Sequence, residues 1–234
     1  MNKLMILILV AFVSVLSYSC DDEVDAPQVL EIYNGYFVYG EATQFSGLEN
    51  NAIMVNGSVV GQATKYMALG SGTLVVSHEN NSTADLPNST GFGLNSADEF
   101  VVGGDPIAFT DTPGNYFFRS DTIAKTVSFV AIDSWGIIGS GTPGGWDEDT
   151  NMALESSDNG EFVYTVTADL VGDEWLKFRA NDQWAPQLGV TDGSLALRLF
   201  DSESDPSSIQ VPESGNYTVK LILGAEFRYE LNKN

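Results

Sequence analysis

The chain is built from short apolar or alternating runs separated by glycine, aspartate and proline, and this pattern limits its fold more than any other feature. Glycine occurs 23 times in the 234 residues, and aromatic residues make up 11% of the chain. Beyond an apolar run at the N-terminus, no segment has the 3.6-residue periodicity of an amphipathic helix. The sequence therefore predicts an all-β protein with many turns.

A weak internal repeat is visible beyond the N-terminal segment. Residues 35–43 align with residues 134–142, and residues 105–118 align with residues 205–219. The offset of about 100 residues is longer than the 20–50-residue period of a solenoid. No Pro-rich or Ser-rich linker separates the two copies, so we expect two tandem β-sandwich domains joined directly.

The first 19 residues have the pattern of a secretory signal peptide. Lys3 supplies a basic start, residues 4–16 are apolar, and small residues precede Cys20, the only cysteine. The apolar run is too short for a membrane-spanning helix. We predict cleavage before Cys20 and lipidation of this residue, which would anchor the protein in the outer membrane facing the cell surface. The alternative is an ordinary signal peptide that leaves Cys20 as a spare thiol.

Together these features predict four parts of the chain. They are a signal peptide at 1–19, a lipidated acidic tether at 20–29, an N-terminal β-sandwich at 30–131 and a C-terminal β-sandwich at 132–234.

The strongly acidic composition excludes one class of partner. The net charge is −22 at pH 7, with 32 acidic against 10 basic residues. Such a field repels phosphate backbones, so we expect no nucleic-acid partner. Polyanionic glycans are disfavoured for the same reason, whereas a neutral glycan is indifferent to the charge.

All four tryptophans lie in two short segments, residues 135–146 and 175–184. Indole offers a flat apolar surface for the C–H face of a pyranose ring, while cationic and amide groups donate hydrogen bonds to sugar hydroxyls. We expect Trp135, which opens a strand, to belong to the core. The predicted glycan-binding residues are Trp146, Trp175, Lys177, Arg179, Asn181 and Trp184. The N-terminal copy has no tryptophan, so we expect it to support the second copy more than to bind.

In the strand that follows Asp173, alternate residues face opposite sides of the sheet. Leu176, Phe178 and Ala180 share a core face, so the alternate face carries Trp175 and the two cations Lys177 and Arg179. The cations fit a sugar site, but they could instead pair with surface carboxylates. Asn181 could likewise make a turn, and Trp146 could cover the end of the sandwich.

Two motifs resemble the carbohydrate-binding modules of SusE/SusF-type outer-membrane lipoproteins. They are GSGTPGGWD at residues 139–147 and KFRANDQW at residues 177–184, and a closing hairpin signal at 211–219 extends the resemblance over most of residues 132–232. The resemblance implies an immunoglobulin-like, carbohydrate-binding-module β-sandwich and a non-catalytic binder of starch-like glucans. It also implies a TonB-dependent importer and its surface lipoprotein lid as partners.

Metal and catalytic sites are not predicted. Residues 147–151, DEDTN, begin like a calcium loop, but Met152 stands where that loop needs glycine and Glu155 comes too early to close it. We therefore expect a solvated turn. His78 has no second histidine or cysteine nearby, and no triad motif is present. We expect no metal, no cofactor and no enzymatic activity.

Two other functions compete with glycan capture. The exposed aromatics could form a protein interface, which would make the chain a structural accessory subunit of a surface glycan-uptake complex. A glycoside hydrolase needs two carboxylates that face each other across a cleft, and the abundance of acids does not identify such a pair.

Overall fold

In the computed structural model, residues 34–57, 59–80 and 89–234 are described. The predicted signal peptide, Cys20 and the acidic tether lie outside them. The described residues are all-β, with two single 3-10 turns between strands, and the predicted fold class is confirmed. Within this part of the chain no helix is long and apolar enough to cross a membrane.

Residues 34–131 form two antiparallel sheets. Their strands are β1 (Asn34–Tyr39), β2 (Val55–Asn56), β3 (Gln62–Leu69), β4 (Gly72–Asn80), β5 (Ser89–Leu94), β6 (Phe100–Val102), β7 (Ile107–Phe109), β8 (Gly114–Asp121) and β9 (Thr126–Ala131). One sheet has the order β1-β4-β5-β6, with β7 beside β4, and the other has the order β2-β3-β8-β9. Inward-facing apolar residues from both sheets form one core, which includes Phe37, Met67, Leu74 and Phe118.

Residues 135–233 form two further sheets. Their strands are β10 (Trp135–Ile138), β11 (Thr150–Asn151), β12 (Ala153–Ser156), β13 (Phe162–Leu170), β14 (Trp175–Ala180), β15 (Gln187–Thr191), β16 (Ser194–Arg198), β17 (Ile209–Gln210), β18 (Gly215–Leu223) and β19 (Phe227–Lys233). The first sheet has the order β11-β10-β14-β15-β16, with β17 beside β14, and the second has the order β12-β13-β18-β19.

The core of the second sheet pair continues into the first half of the chain. Trp135 is buried, as predicted, and it packs edge to face with Tyr66 and Phe117, which come from β3 and β8. The hydroxyls of Tyr66 and Tyr164 lie 2.6 Å apart, which joins β3 to β13 by a buried hydrogen bond. The described residues accordingly belong to one compact unit.

Strand β14 positions the residues predicted to bind glycan. It pairs with β10 so that Gly136 lies opposite Arg179 and Ile138 lies opposite Lys177. The chain leaves β10 through the glycine-rich turn at residues 139–146 and leaves β14 through the loop at residues 181–186. Because the two strands are antiparallel neighbours, residues that follow one strand can fold back over the face of the other.

Candidate functional site

Two of the four tryptophans come together at the surface. The ring centroids of Trp146 and Trp184 are 6.3 Å apart, and their planes are inclined by 34°. The side chains are partly open to solvent, with 42% and 45% of their surface exposed. Their positions in the sequence do not indicate that these two tryptophans, of the four, are neighbours. In the structure Trp146 and Trp184 together form one aromatic surface.

The glycine-rich turn places Trp146 through a compact set of hydrogen bonds. The Gly139 amide donates to the Gly145 carbonyl at 2.8 Å, and the Thr142 hydroxyl donates to the Gly139 carbonyl at 2.9 Å. Gly139 has φ +145, and a Cβ there would lie 2.1 Å from the carbonyl oxygen of Trp175. Only glycine fits this close approach, so the motif sequence fixes where the chain turns before Trp146.

Arg179 lies against Trp184 from the protein side. Its guanidinium carbon is 4.9 Å from the centre of the indole ring, which is within the range of a cation–π interaction. Only 8% of Arg179 is exposed, whereas almost half of Trp184 is. The cation therefore lies on the buried side of the indole, while part of the Trp184 ring stays open to solvent.

Asp149 holds the Arg179 guanidinium. Its Oδ2 accepts a hydrogen bond from Arg179 Nε at 2.9 Å, and its side chain is only 3% exposed. Burial raises the pKa of Asp149; the bond to Arg179 opposes the rise and neighbouring Asp182 adds to it. The predicted solvated turn is therefore wrong for Asp149, because its side chain is buried as the partner of a buried cation. The sequence offers 32 acids as partners for Arg179, and nothing in their spacing selects this one.

Lys177 is also buried and paired. Its ammonium Nζ lies 2.5 Å from Asp205 Oδ1, which also accepts a hydrogen bond from Gln187 Nε2 at 2.9 Å. Only 5% of the residue is exposed. This is the carboxylate-paired arrangement that the sequence left open as the alternative to sugar binding.

Asn181 ties the loop after β14 to the segment before β10. Its Oδ1 accepts hydrogen bonds from the amides of Asp133 and Ser134, at 2.8 and 3.2 Å, and its Nδ2 donates to the Ala131 carbonyl at 2.9 Å. Its φ of +53 is of the left-handed type that asparagine tolerates. These bonds give Asn181 the turn-making geometry and leave it one amide hydrogen for another partner.

Trp175 is exposed at the opposite end of β14 from Trp184. It precedes Arg179 by four residues, a distance of about 13 Å along a strand. Among the described residues it makes no ring contact with Trp146 or Trp184. Trp175 therefore does not belong to the inclined pair and could contact only a ligand that extends along the strand.

The described ranges contain no cluster of side chains suited to a metal ion. No group of three or more histidine, cysteine, aspartate or glutamate residues is placed to hold an ion there. The ring of His78 packs edge to face against Tyr36 at 4.6 Å.

Comparison with known proteins gives limited similarity. No protein-family model matches the sequence, and no curated protein matches it. Among solved structures, the fold is similar to the crystal structure of SusF from Bacteroides thetaiotaomicron, with a TM-score of 0.39 and 14% sequence identity. The similarity covers 85% of this chain and 48% of SusF, so the chain spans about half the length of that protein.

Proposed function

We propose that the protein is a non-catalytic glycan-binding protein whose site is the Trp146–Trp184 surface. The observation that carries the proposal is the pair of half-exposed indoles, inclined to each other and backed by a buried cation. An indole exposed to water is unfavourable because its apolar surface is not buried. The apolar C–H face of a sugar ring can stack on such an indole and cover it.

The ring geometry limits how a sugar can bind. Carbon atoms in contact are about 3.5–4 Å apart, so a sugar held between two indoles would need them roughly 7 Å apart or more. The centroids are 6.3 Å apart, so the glycan lies across both rings and not between them. The planes of the two rings are inclined by 34°, so the aromatic surface is not flat.

The remaining parts of the proposal depend on the sequence. The resemblance of residues 132–232 to SusE/SusF-type modules supports a starch-like glucan, capture at the cell surface and delivery to a TonB-dependent importer. The N-terminal pattern supports a lipid anchor at Cys20 and location in the outer membrane. The division into domains at residue 132 belongs to the same proposal, as does Asn181 as a secondary sugar contact.

One observation favours a second candidate function, that of a structural accessory subunit. Val59 and Val60 in the β2–β3 turn and Ile123 in the adjacent β8–β9 turn are largely exposed. The two turns touch, since the Thr122 amide donates to the Gly61 carbonyl at 3.0 Å. An apolar patch of this kind could contact another protein.

The test is native affinity electrophoresis of the purified protein in gels that contain amylopectin, pullulan, dextran, xylan or laminarin. We expect retardation in amylopectin and pullulan and its loss in Trp184→Ala. Phe200→Ala is the matched control, since it removes another exposed aromatic residue of the same half. Wild-type migration unchanged by every polymer would refute glycan capture. Recovery of the protein with membrane partners, lost in Val60→Asp, would then support the accessory role.

A further inference from the structure

The Asp149 side chain is buried against Arg179 and also interacts with the carboxyl of Asp182. Oδ2 is bonded to Arg179, whereas Oδ1 is buried with no hydrogen-bond partner among the described residues. The carboxylate reaches Arg179 because the strand neighbour of Arg179 is Gly136. A Cβ on Gly136 would lie 2.9 Å from the Asp149 Cβ, so a larger residue there would displace the carboxylate.

The ion pair and the aromatic surface are linked through Arg179. A buried guanidinium that loses its carboxylate is left as an uncompensated charge, and it will move toward water to regain solvation. Here that movement would remove the cation from the inner side of Trp184, which it now supports at 4.9 Å. The orientation of the indole therefore depends on a residue that lies behind it.

We propose that Asp149 is a positioning residue of the glycan site, which fixes Trp184 through Arg179 and does not touch the sugar. The proposal rests on the proposed function for its effect on glycan binding. The structural part of the proposal is that contacts link Asp149 to Arg179 and Arg179 to Trp184. The effect of Asp149 on Trp184 can be measured in the protein without any glycan.

Asp182 makes this support sensitive to acid. Two charged groups act on Asp149: Arg179 of β14, and Asp182 in the loop that follows β14. Burial first, and Asp182 second, raise the pKa of Asp149, while Arg179 opposes them. The support should therefore be lost at a higher pH than the titration of an ordinary aspartate, about 3.9. Above that pH the carboxylate is charged and holds Arg179; below it we expect the neutral acid to donate its proton to Asp182 and to balance the charge of Arg179 less well.

The readout is the indole Nε1–H resonance of Trp184 in the purified protein, assigned with Trp184→Phe and followed from pH 8 downward. In parallel, the affinity for maltoheptaose is measured by calorimetry over the same range. We expect both to change together as the pH falls. Asp149→Asn should weaken binding about three- to tenfold at pH 8, the range for the loss of one well-placed aromatic contact, and should abolish the acid-dependent change.

Asp182→Asn separates positioning from a general structural role. It removes the like charge and should move the acid-dependent change in both readouts to lower pH, with affinity at pH 8 retained within about twofold. Asp192→Asn is the matched control, because Asp192 also has a positive φ, +51 against +54 for Asp182, but lies in the β15–β16 turn. Asparagine tolerates this conformation, so both variants should fold. Asp182→Asn also keeps the test decisive if Asp149→Asn fails to fold.

The outcomes are distinct. A Trp184 resonance whose pH response is the same in Asp182→Asn as in the wild type overturns the proposal, as does an Asp149→Asn protein that binds like the wild type at every pH. A resonance that responds as expected in a protein that binds no glycan supports the linkage between Asp149 and Trp184. That result would refute the glycan-binding function itself.

Discussion

Lys65 is the most unusual buried group of the described residues, and its titration gives a quantitative prediction. It lies on β3 with no exposed surface, and its Nζ donates to the Gly224 carbonyl at 3.1 Å, on the other half of the chain. The ammonium also lies 5.3 Å from the centre of the Phe45 ring. Burial lowers the pKa of Lys65 from 10.5 to about 8, although the charge of Glu161 partly opposes this.

The sign of the effect follows from proton linkage. Between pH 8 and pH 10.5 the unfolded chain keeps the Lys65 proton and the folded chain loses it. The free energy of unfolding must then rise with pH. One pKa unit corresponds to about 1.4 kcal/mol. Because Lys65 of the folded chain is already half deprotonated at pH 8, raising the pH from 8 to 9.5 should stabilise the protein by about 1.6 kcal/mol through this group. Tyr66 and Tyr164 have raised pKa values and act in the opposite direction above about pH 10, so the measurement stops below that pH.

The perturbation is Lys65→Met, compared with the wild type by urea denaturation at pH 7, 8, 9 and 9.5. The variant also loses the bond to Gly224, so its stability at one pH is not informative, but its dependence on pH is. The difference in the free energy of unfolding, wild type minus Lys65→Met, should increase by about 1.6 kcal/mol between pH 8 and 9.5. Lys125→Met, at an exposed lysine, is the control and should run parallel to the wild type. Parallel curves for Lys65→Met as well would refute the reasoning.

Three further predictions concern single contacts. Trp146→Ala should weaken binding of maltoheptaose at least tenfold in calorimetry while the thermal midpoint stays within a few degrees, because a half-exposed indole adds little to the core. Tyr66→Phe leaves the Tyr164 hydroxyl without its 2.6 Å partner and should lower the free energy of unfolding by about 1–3 kcal/mol in urea; an unchanged midpoint would contradict this. Gly136→Ala should displace Asp149 and reproduce the pH-insensitive Trp184 resonance of Asp149→Asn; a wild-type pH response would show that Asp149 stays in place.

Much of the strand arrangement could be predicted from the sequence. Residues 135–138, 162–170, 175–180, 215–223 and 227–233 are strands in the structure, and each contains an apolar or alternating run of the sequence. Their apolar runs face a core, and glycine, aspartate or proline bounds them. Where an apolar run is bounded by such turn residues, the local sequence is enough to indicate a strand.

Other strands are harder to recognise, and the β15–β16 hairpin and β3 illustrate two different reasons. The β15–β16 hairpin carries an Asp192-Gly193 turn with φ of +51 and +81, and this dipeptide, a recognised hairpin signal, is the only local mark of the two strands. Strand β3 could not be found by alternation, because most of its residues on both faces are buried. One face of β3 packs in the N-terminal core through Met67, and the other meets the second half of the chain through Tyr66. Lys65 is buried for the same reason, and this depends on a neighbour about 160 residues away.

The site was predictable in its residue types and not in its connections. The sequence indicated which tryptophans to examine, and it assigned Trp135 to the core correctly. It could not show that Trp146 and Trp184 form one surface, since this depends on how two loops fold over neighbouring strands. It also treated Arg179 as an outward donor, whereas its burial depends on a carboxylate 30 residues away.

The burial of Arg179 suggests why a shallow site can bind at all. A flexible exposed indole loses conformational entropy when a ligand fixes it, and this loss subtracts from affinity. Trp184 is held by Arg179, Arg179 is held by Asp149, and the small residue Gly136 leaves room for that carboxylate. Much of the ordering is therefore achieved when the protein folds, before a ligand arrives. The same chain of contacts explains why we expect substitutions at residues that touch no sugar, Gly136 and Asp149, to weaken binding.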